Sequence, residues 1–169
     1  REARVTAKLA HPGTVPVYEI GRDRNGDIYF TMKHVRGRNL RDIIQGLRDE
    51  DKKIIQLFPL EILIDSLIQI CQTVAYAHDH GVIHRDLKPA NILIGGFGEV
   101  LVLDWGLAKV WGEVDLDHNT IPEYADPALT PVGRRYGTPL YMAPELARGD
   151  SQIDGRVDVF SLGNILFEI

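Results

Sequence analysis

The stretch after Pro59 constrains this chain most. Leu60, Leu63, Ile64, Leu67, Cys71, Val74 and His78 recur at spacings of three and four, which predicts a helix with one apolar face. Its uncharged part, Ser66 to His78, falls short of the ~20 apolar residues a membrane-spanning helix needs, so no membrane segment is expected within these residues. Cys71 lies on the stripe and reads as a small core residue rather than a reactive thiol.

On either side of this helix the texture differs. Glu2, Val5 and Leu9 read as an opening helix, and His11-Pro12-Gly13 breaks it. Val15, Val17 and Ile20 predict a strand, Asp23 to Asp27 a hairpin turn with Asn25-Gly26 at its tip, and Ile28, Tyr29, Phe30 and Met32 the returning strand. Leu40, Ile43, Ile44 and Leu47 predict another helix, while the charged run Arg48 to Lys53 reads as solvated surface. From Gly81 onward, Val82-Ile83, Ile92 to Ile94 and Val100 to Leu103 are short apolar runs that read as brief strands. Asp104 to Glu145 has little periodicity, and a loop of that length is commonly functional. Its first part is acidic, with Glu113, Asp115, Asp117, Glu123 and Asp126, before Arg134 and Arg135 reverse the sign. Val157, Phe160, Ser161, Leu162, Ile165, Leu166 and Ile169 predict a last helix.

Composition narrows the function classes. Nineteen Lys+Arg against 24 Asp+Glu give a formal charge of −5 over 169 residues, which argues against nucleic acid as the main partner, since phosphate backbones are bound by clustered positive charge. A hydrophobic fraction of 44% with 25% charged residues is that of a globular chain. The single cysteine excludes an intramolecular disulfide framework and fits a reducing compartment; the expected location is cytoplasmic. The first residue is Arg1 and the last helix pattern runs to Ile169, so the reading is an internal piece of a longer chain.

The decisive stretch is His84-Arg85-Asp86-Leu87-Lys88-Pro89-Ala90-Asn91. It resembles the catalytic loop of protein kinases, HRDLKPxN. Asp104-Trp105-Gly106 stands where that family has DFG, and Gly137 to Glu145 resembles its GTPxYxAPE segment. Asp158 matches the aspartate opening the family's F helix, and Glu2 stands before the His-Pro turn as the family's C-helix glutamate does. Six specified positions in one octapeptide, at roughly 5% each, recur by chance on the order of once in tens of millions of sites. The DWGLAK run and the HPGTVPVYEIG run are similar to the bacterial, eukaryotic-like (Hanks-type) Ser/Thr kinases.

The resemblance implies an α+β, protein kinase-like two-lobe fold, truncated at both ends. Residues 1–35 would be a partial N-lobe with the C helix, two strands and the start of the hinge. Residues 36–169 would be a partial, mostly helical C-lobe with the D and E helices, catalytic loop, activation segment and F helix. It also implies ATP and Mg²⁺ as cofactors and proteins with Ser/Thr acceptors as substrates, because Lys88 in Leu-Lys-Pro and Thr138 in Gly-Thr-Pro follow the Ser/Thr branch. Self-association for autophosphorylation is a further expectation.

Roles follow from the chemistry of a metaphosphate-like transfer, in which positioning and charge neutralisation dominate. Asn91 and Asp104 offer hard oxygen ligands suited to Mg²⁺. Asp86 would orient the acceptor hydroxyl and accept its proton late, Lys88 would reach the γ-phosphate, and Thr138 would bond the catalytic aspartate and lysine. The resemblance assigns Met32 as gatekeeper, Lys33, His34 and Val35 to the hinge, Leu93 to the floor of the base pocket, and Glu2 to the pair with a strand lysine. Arg85 before the aspartate implies an activation loop ordered by phosphate, with Thr130 the leading phosphosite and Thr120 a second. Trp105 replaces the usual Phe and adds an N–H that needs a partner when buried. Thr6 stands where the family stacks an apolar side chain.

The family's glycine-rich loop and strand lysine would precede Arg1, so these residues alone are expected to have negligible activity and the parent to be active. A catalytically silent kinase-like scaffold is the alternative reading, although Asp86, Lys88, Asn91 and Asp104 are all present. A small-molecule phosphotransferase shares the Asp, Asn, Asp logic but not the Thr138 to Glu145 segment. His78, His80 and His84 also invite a zinc reading, against which no fourth ligand lies nearby in sequence.

Overall fold

The computed structural model describes residues 9–105, 108–110, 139–150 and 152–169. The expected opening helix, the acidic run and Arg134-Arg135 lie outside the described residues.

A hairpin forms where the Asn-Gly signal put it. β1 (Val17–Arg22) and β2 (Ile28–Met32) pair antiparallel, with Ile20 opposite Phe30. Asp23 builds the turn, since its Oδ1 accepts the N–H groups of Asn25 (2.8 Å) and Asp27 (2.9 Å). Gly26 follows at φ 90°, a conformation a side chain would resist.

A three-stranded antiparallel sheet runs in the order β3 (Arg38–Asn39), β5 (Ile92–Ile94), β6 (Val100–Val102), and β4 (Val82–Ile83) pairs with β7 (Lys109–Val110). β3 feeds directly into α1 (Leu40–Arg48), whose first turn is capped by Asn39 Oδ1 accepting the Asp42 N–H at 2.8 Å. The run Arg48 to Lys53 is exposed throughout, as expected, but its end is also the start of a helix. Asp51 caps α2 (Lys52–Leu57) by accepting from the N–H groups of Lys53 (2.8 Å) and Ile54 (3.4 Å), and Ile54 is buried.

α3 (Leu60–Asp79) is the predicted long helix, but its buried face is rotated from the predicted one. Leu63, Ser66, Leu67, Ile70, Thr73, Val74 and Ala77 are buried, whereas Leu60 and Cys71 are exposed. Ser66 and Thr73 can occupy the core side because each hydroxyl donates one turn back, to the carbonyls of Ile62 (2.7 Å) and Gln69 (2.9 Å). Cys71 is therefore not the core residue its place in the pattern implied. The helix has the length and hydropathy of a spanning segment, yet its buried face packs against β4 and β6 and against α5 (Arg156–Glu168) as a core helix does.

Residues 11–15 dock onto this frame. The Gly13 carbonyl accepts from the Val102 N–H at 2.8 Å, and a Cβ on Gly13 would stand 1.9 Å from the Thr73 hydroxyl, so only glycine fits. The core joins Leu63, Ile70 and Val74 of α3 to Ile92, Val102, Trp105 and Ile165.

α4 (Pro144–Arg148) starts at the proline and stops at Gly149, which is left-handed at φ 74°. α5 buries Val157, Ser161 and Ile165 of the predicted pattern and leaves Phe160 and Leu166 exposed, while Asp158, outside that pattern, is buried with them. Ser161 Oγ lies 2.7 Å from the Tyr141 carbonyl. The Tyr141 hydroxyl donates to Glu168 Oε2 at 2.5 Å, and Arg48 Nη2 pairs with Glu168 Oε1 at 3.2 Å. Burial, then the bond to Glu168 and its negative charge, push the Tyr141 phenol up to about 12.

This network makes a prediction about pH. The folded protein holds the Tyr141 proton more tightly than the unfolded chain does, so the stabilisation is full below pH 10 and is lost as pH rises toward about 12. Tyr141→Phe is expected to lower stability by about 1–2 kcal/mol at pH 8. The deficit relative to the parent should shrink in urea titrations run above pH 10; a deficit that stays constant contradicts the assignment.

Candidate active site

The site is assembled on a buried carboxylate. β4 delivers the chain to His84, and at that point Asp158 of α5, fully buried, accepts three N–H bonds. Its Oδ2 takes the His84 backbone N–H (2.9 Å) and His78 Nε2 (2.8 Å), and its Oδ1 takes the Arg85 backbone N–H (2.8 Å). His78 reaches Asp158 across Gly155, where a Cβ would sit 2.7 Å from the imidazole. Arg85 has φ 70°, a left-handed conformation that is uncommon for a residue with a side chain, and the Asp158 carboxylate fixes the N–H of that strained residue.

The bend aims the following residues at one another. Asp86 is buried to 7% exposure, and Lys88 Nζ stands 2.7 Å from its Oδ2. Asn91 Nδ2 donates to the Asp86 carbonyl (2.9 Å) and lies 3.3 Å from Oδ2. With the amide nitrogen occupied by Asp86, Asn91 keeps its Oδ1, a hard oxygen, for another ligand. Asp104 comes beside Asn91 through the sheet, since Leu103 donates its N–H to the Asn91 carbonyl at 2.8 Å. Asp104 is exposed and left-handed, at φ 58°. Among the described residues no group of three or more His, Cys, Asp or Glu side chains could enclose a metal. Asn91 Oδ1 and the Asp104 carboxylate instead fit a hard cation that keeps phosphate and water ligands of its own.

Trp105 has found its partner. Its ring is 1% exposed, Nε1–H donates to the Val102 carbonyl at 3.1 Å, and the ring packs on the His84 imidazole with centroids 4.6 Å apart. His84 in turn lies 3.0 Å through Nε2 from the Leu103 carbonyl and 3.3 Å through Nδ1 from the Asp86 N–H. One tautomer satisfies both, with the proton on Nε2 and the lone pair on Nδ1.

Of the residues assigned to the base, Met32 to Val35 end and follow β2, whereas Leu93 lies on β5 of the three-stranded sheet. Met32 ends β2 and is half exposed, so it is not a core residue; the Lys33 N–H bonds the Pro16 carbonyl at 3.1 Å, Val35 is half-buried and Lys33 and His34 are exposed. Leu93 of β5 is half-buried, and Gly37 sits so close above it that a Cβ would lie 2.5 Å from Leu93 Cδ2. Glu2, Thr6, Thr120, Thr130 and Thr138 lie outside the described residues. The three histidines do not converge: His78 serves Asp158, His80 stacks on Tyr76 at 4.1 Å between centroids, and His84 is buried against Trp105. Sequence reasoning missed His78 as a support of the 84–91 loop. The available signal was its position one residue before the end of an amphipathic helix, just before the loop it holds.

Known proteins resemble this chain over its whole length. The protein kinase domain model matches residues 1–169. The chain is 41% identical over 177 residues to the serine/threonine-protein kinase PknD of Protochlamydia amoebophila, 36% over 176 residues to that of Chlamydia pneumoniae, and 38% over 177 residues to that of Chlamydia caviae. Each alignment covers 100% of this chain but only 18–19% of the relative, so the chain spans about a fifth of the length of the proteins it matches. With the motif order and the family match both running from end to end, the chain belongs to the protein kinase domain family.

Proposed function

We propose that this chain forms part of the catalytic core of a serine/threonine protein kinase, which transfers the γ-phosphate of ATP to Ser or Thr hydroxyls of protein substrates. One observation carries the reading: Asp86 is buried with Lys88 at 2.7 Å and Asn91 at 3.3 Å, and Asn91 is tied through Leu103 to the strand end bearing Asp104.

In this reading Asp86 accepts a hydrogen bond from the acceptor hydroxyl and orients its oxygen, taking the proton late. Lys88 holds Asp86 in place and offers positive charge to the phosphoryl oxygens. Asn91 Oδ1 and Asp104 ligate the divalent cation, which we assign as Mg²⁺ from the hard oxygen donors. When bound with ATP, that cation neutralises charge on the phosphates. By the resemblance, Thr138 would bond Asp86 and Lys88 and Glu2 would pair with a strand lysine, both outside the described residues, and Met32, Lys33, Val35 and Leu93 would line the adenine site. We divide the chain at 35/36 into N-lobe and C-lobe parts and assign the domain to the cytoplasm, consistent with a lone, unpaired cysteine. Phosphate on Thr130, added by a second copy of the protein, would bind Arg85 and so order the activation segment.

Two experiments test this reading. In the complete protein, Asp86→Asn and Asp104→Ala should each reduce ATP-dependent phosphorylation of a Ser/Thr peptide by about 10²-fold or more, while a Tyr peptide should be a poor substrate. Unchanged turnover in Asp104→Ala would refute the metal assignment. Phosphopeptide mapping of active protein is expected to find Thr130 modified; a loop phosphorylated only at Thr120 or elsewhere would remove it.

A further inference from the structure

We infer that the complete protein selects acidic peptides, and that Arg36 and Arg38 form the subsite receiving their carboxylates. This rests on the kinase reading above and names its substrate class. Between Ile28 and Arg48 the chain carries five Lys or Arg and a single acid, Asp42, although its overall charge is −5. Two of these positive charges are answered within the fold. Arg48 pairs with Glu168 at 3.2 Å, and Arg41 lies 3.6 Å from Asp42, whose carboxylate also accepts from Asn39 Nδ2 at 2.8 Å. Lys33 belongs to the adenine site proposed above. Arg36 and Arg38 are left over: both are exposed, and neither forms an ion pair with a described residue.

Their place in the fold gives the pair a use. Arg38 lies on β3, and both β3 and α1 pack against the 3₁₀ turn Pro89–Asn91, which ends at the candidate cation ligand. Gly37, between the two arginines, is pressed so closely onto the sheet that a Cβ would stand 2.6 Å from the Ile94 carbonyl oxygen, and Arg38 pairs with Ile94 in the ladder. Asn39 then caps α1. The backbone beneath the arginines is therefore fixed on both sides. Guanidinium groups stay charged and offer forked N–H donors that match a carboxylate, so two of them beside the reacting centre form a positive rim that favours acidic substrates. This chain contains such a substrate. From Glu113 to Asp126 it has five acids and no Lys or Arg, with Thr120 inside the run and Thr130 four residues beyond it. Offered by a second copy, that stretch is complementary in charge to Arg36 and Arg38.

The test uses the complete protein and a synthetic peptide of residues 113–132, beside the same peptide with its five carboxylates changed to amides. Phosphate on threonine is read. The acidic peptide is expected to have a kcat/KM about five- to tenfold higher, and raising salt from about 0.05 M to about 0.5 M should erase most of that advantage through its KM. In Arg36→Gln/Arg38→Gln the advantage should fall to about twofold or less, with the KM for ATP and turnover of the amide peptide unchanged. Arg36→Glu/Arg38→Glu should favour the amide peptide. Equal kcat/KM for the two peptides in the unmodified protein, or an advantage that survives charge reversal, would overturn the subsite and leave the kinase reading standing. A raised KM for ATP in the glutamine variant would assign the arginines to the nucleotide and likewise overturn it. A protein that phosphorylates no Ser/Thr peptide would remove both readings. Should a variant fail to fold, the salt titration of the unmodified protein decides, and a salt-independent KM for the acidic peptide would overturn the proposal.

Discussion

The Asp158 carboxylate is the constraint on which the rest of this structure depends. It has no solvent exposure, and a buried carboxylate is tolerable only when its lone pairs are taken by donors. Here two backbone N–H groups and one imidazole supply them. The dependence runs both ways. Without the carboxylate, the His84 and Arg85 N–H groups would be buried orphans, and the left-handed turn at Arg85, a conformation that costs on the order of 1–3 kcal/mol, would lose its tie. Without that turn, Asp86 would not meet Lys88 and Asn91. A charged hydrogen bond in such surroundings contributes about 1.5–3 kcal/mol, enough to hold the strained backbone.

Beside this polar anchor the sheet does the alignment. β5 follows Asn91 immediately and β6 precedes Asp104 by one residue, so pairing Ile92 with Val102 brings the two candidate ligands to the same end of adjacent strands. Strand register is discrete, and a slip by one residue would turn Ile92 and Val102 out of the core. Their complete burial therefore guards the spacing of Asn91 and Asp104, and apolar packing specifies a polar geometry.

Legibility from sequence followed the range of the interaction. The hairpin, α1, α3 and the brief strands were readable because turn residues, caps and periodicity act within a few positions. The octapeptide at 84–91 was readable as a likeness, and the fold gathers Asp86, Lys88 and Asn91 from it into one cluster. The face of α3 was misread because Ser66 and Thr73 count as polar in a pattern, although a hydroxyl bonded to its own helix can be buried. α2 was hidden for a different reason: the charged run is solvated as it looked, and the cap at Asp51 was the overlooked sign that a helix starts within it. The partners of Trp105, Tyr141 and His78 lie on elements that only the fold brings together, except that the Val102 carbonyl is just three residues from the indole it receives.

α5 explains why its own pattern was hard to read. Asp158 lies in its first turn and holds the 84–91 loop, while Glu168 ends it and takes Tyr141 and Arg48. At 1.5 Å rise per residue the two carboxylates are held about 15 Å apart along the axis, with Ser161 bonding the Tyr141 carbonyl between them. A helix used in this way must spend core-facing positions on polar anchors, which blurs the apolar stripe. In return, the 84–91 loop and the segment around Tyr141 are referred to one rigid rod, so their separation does not depend on the stretch that joins them in sequence.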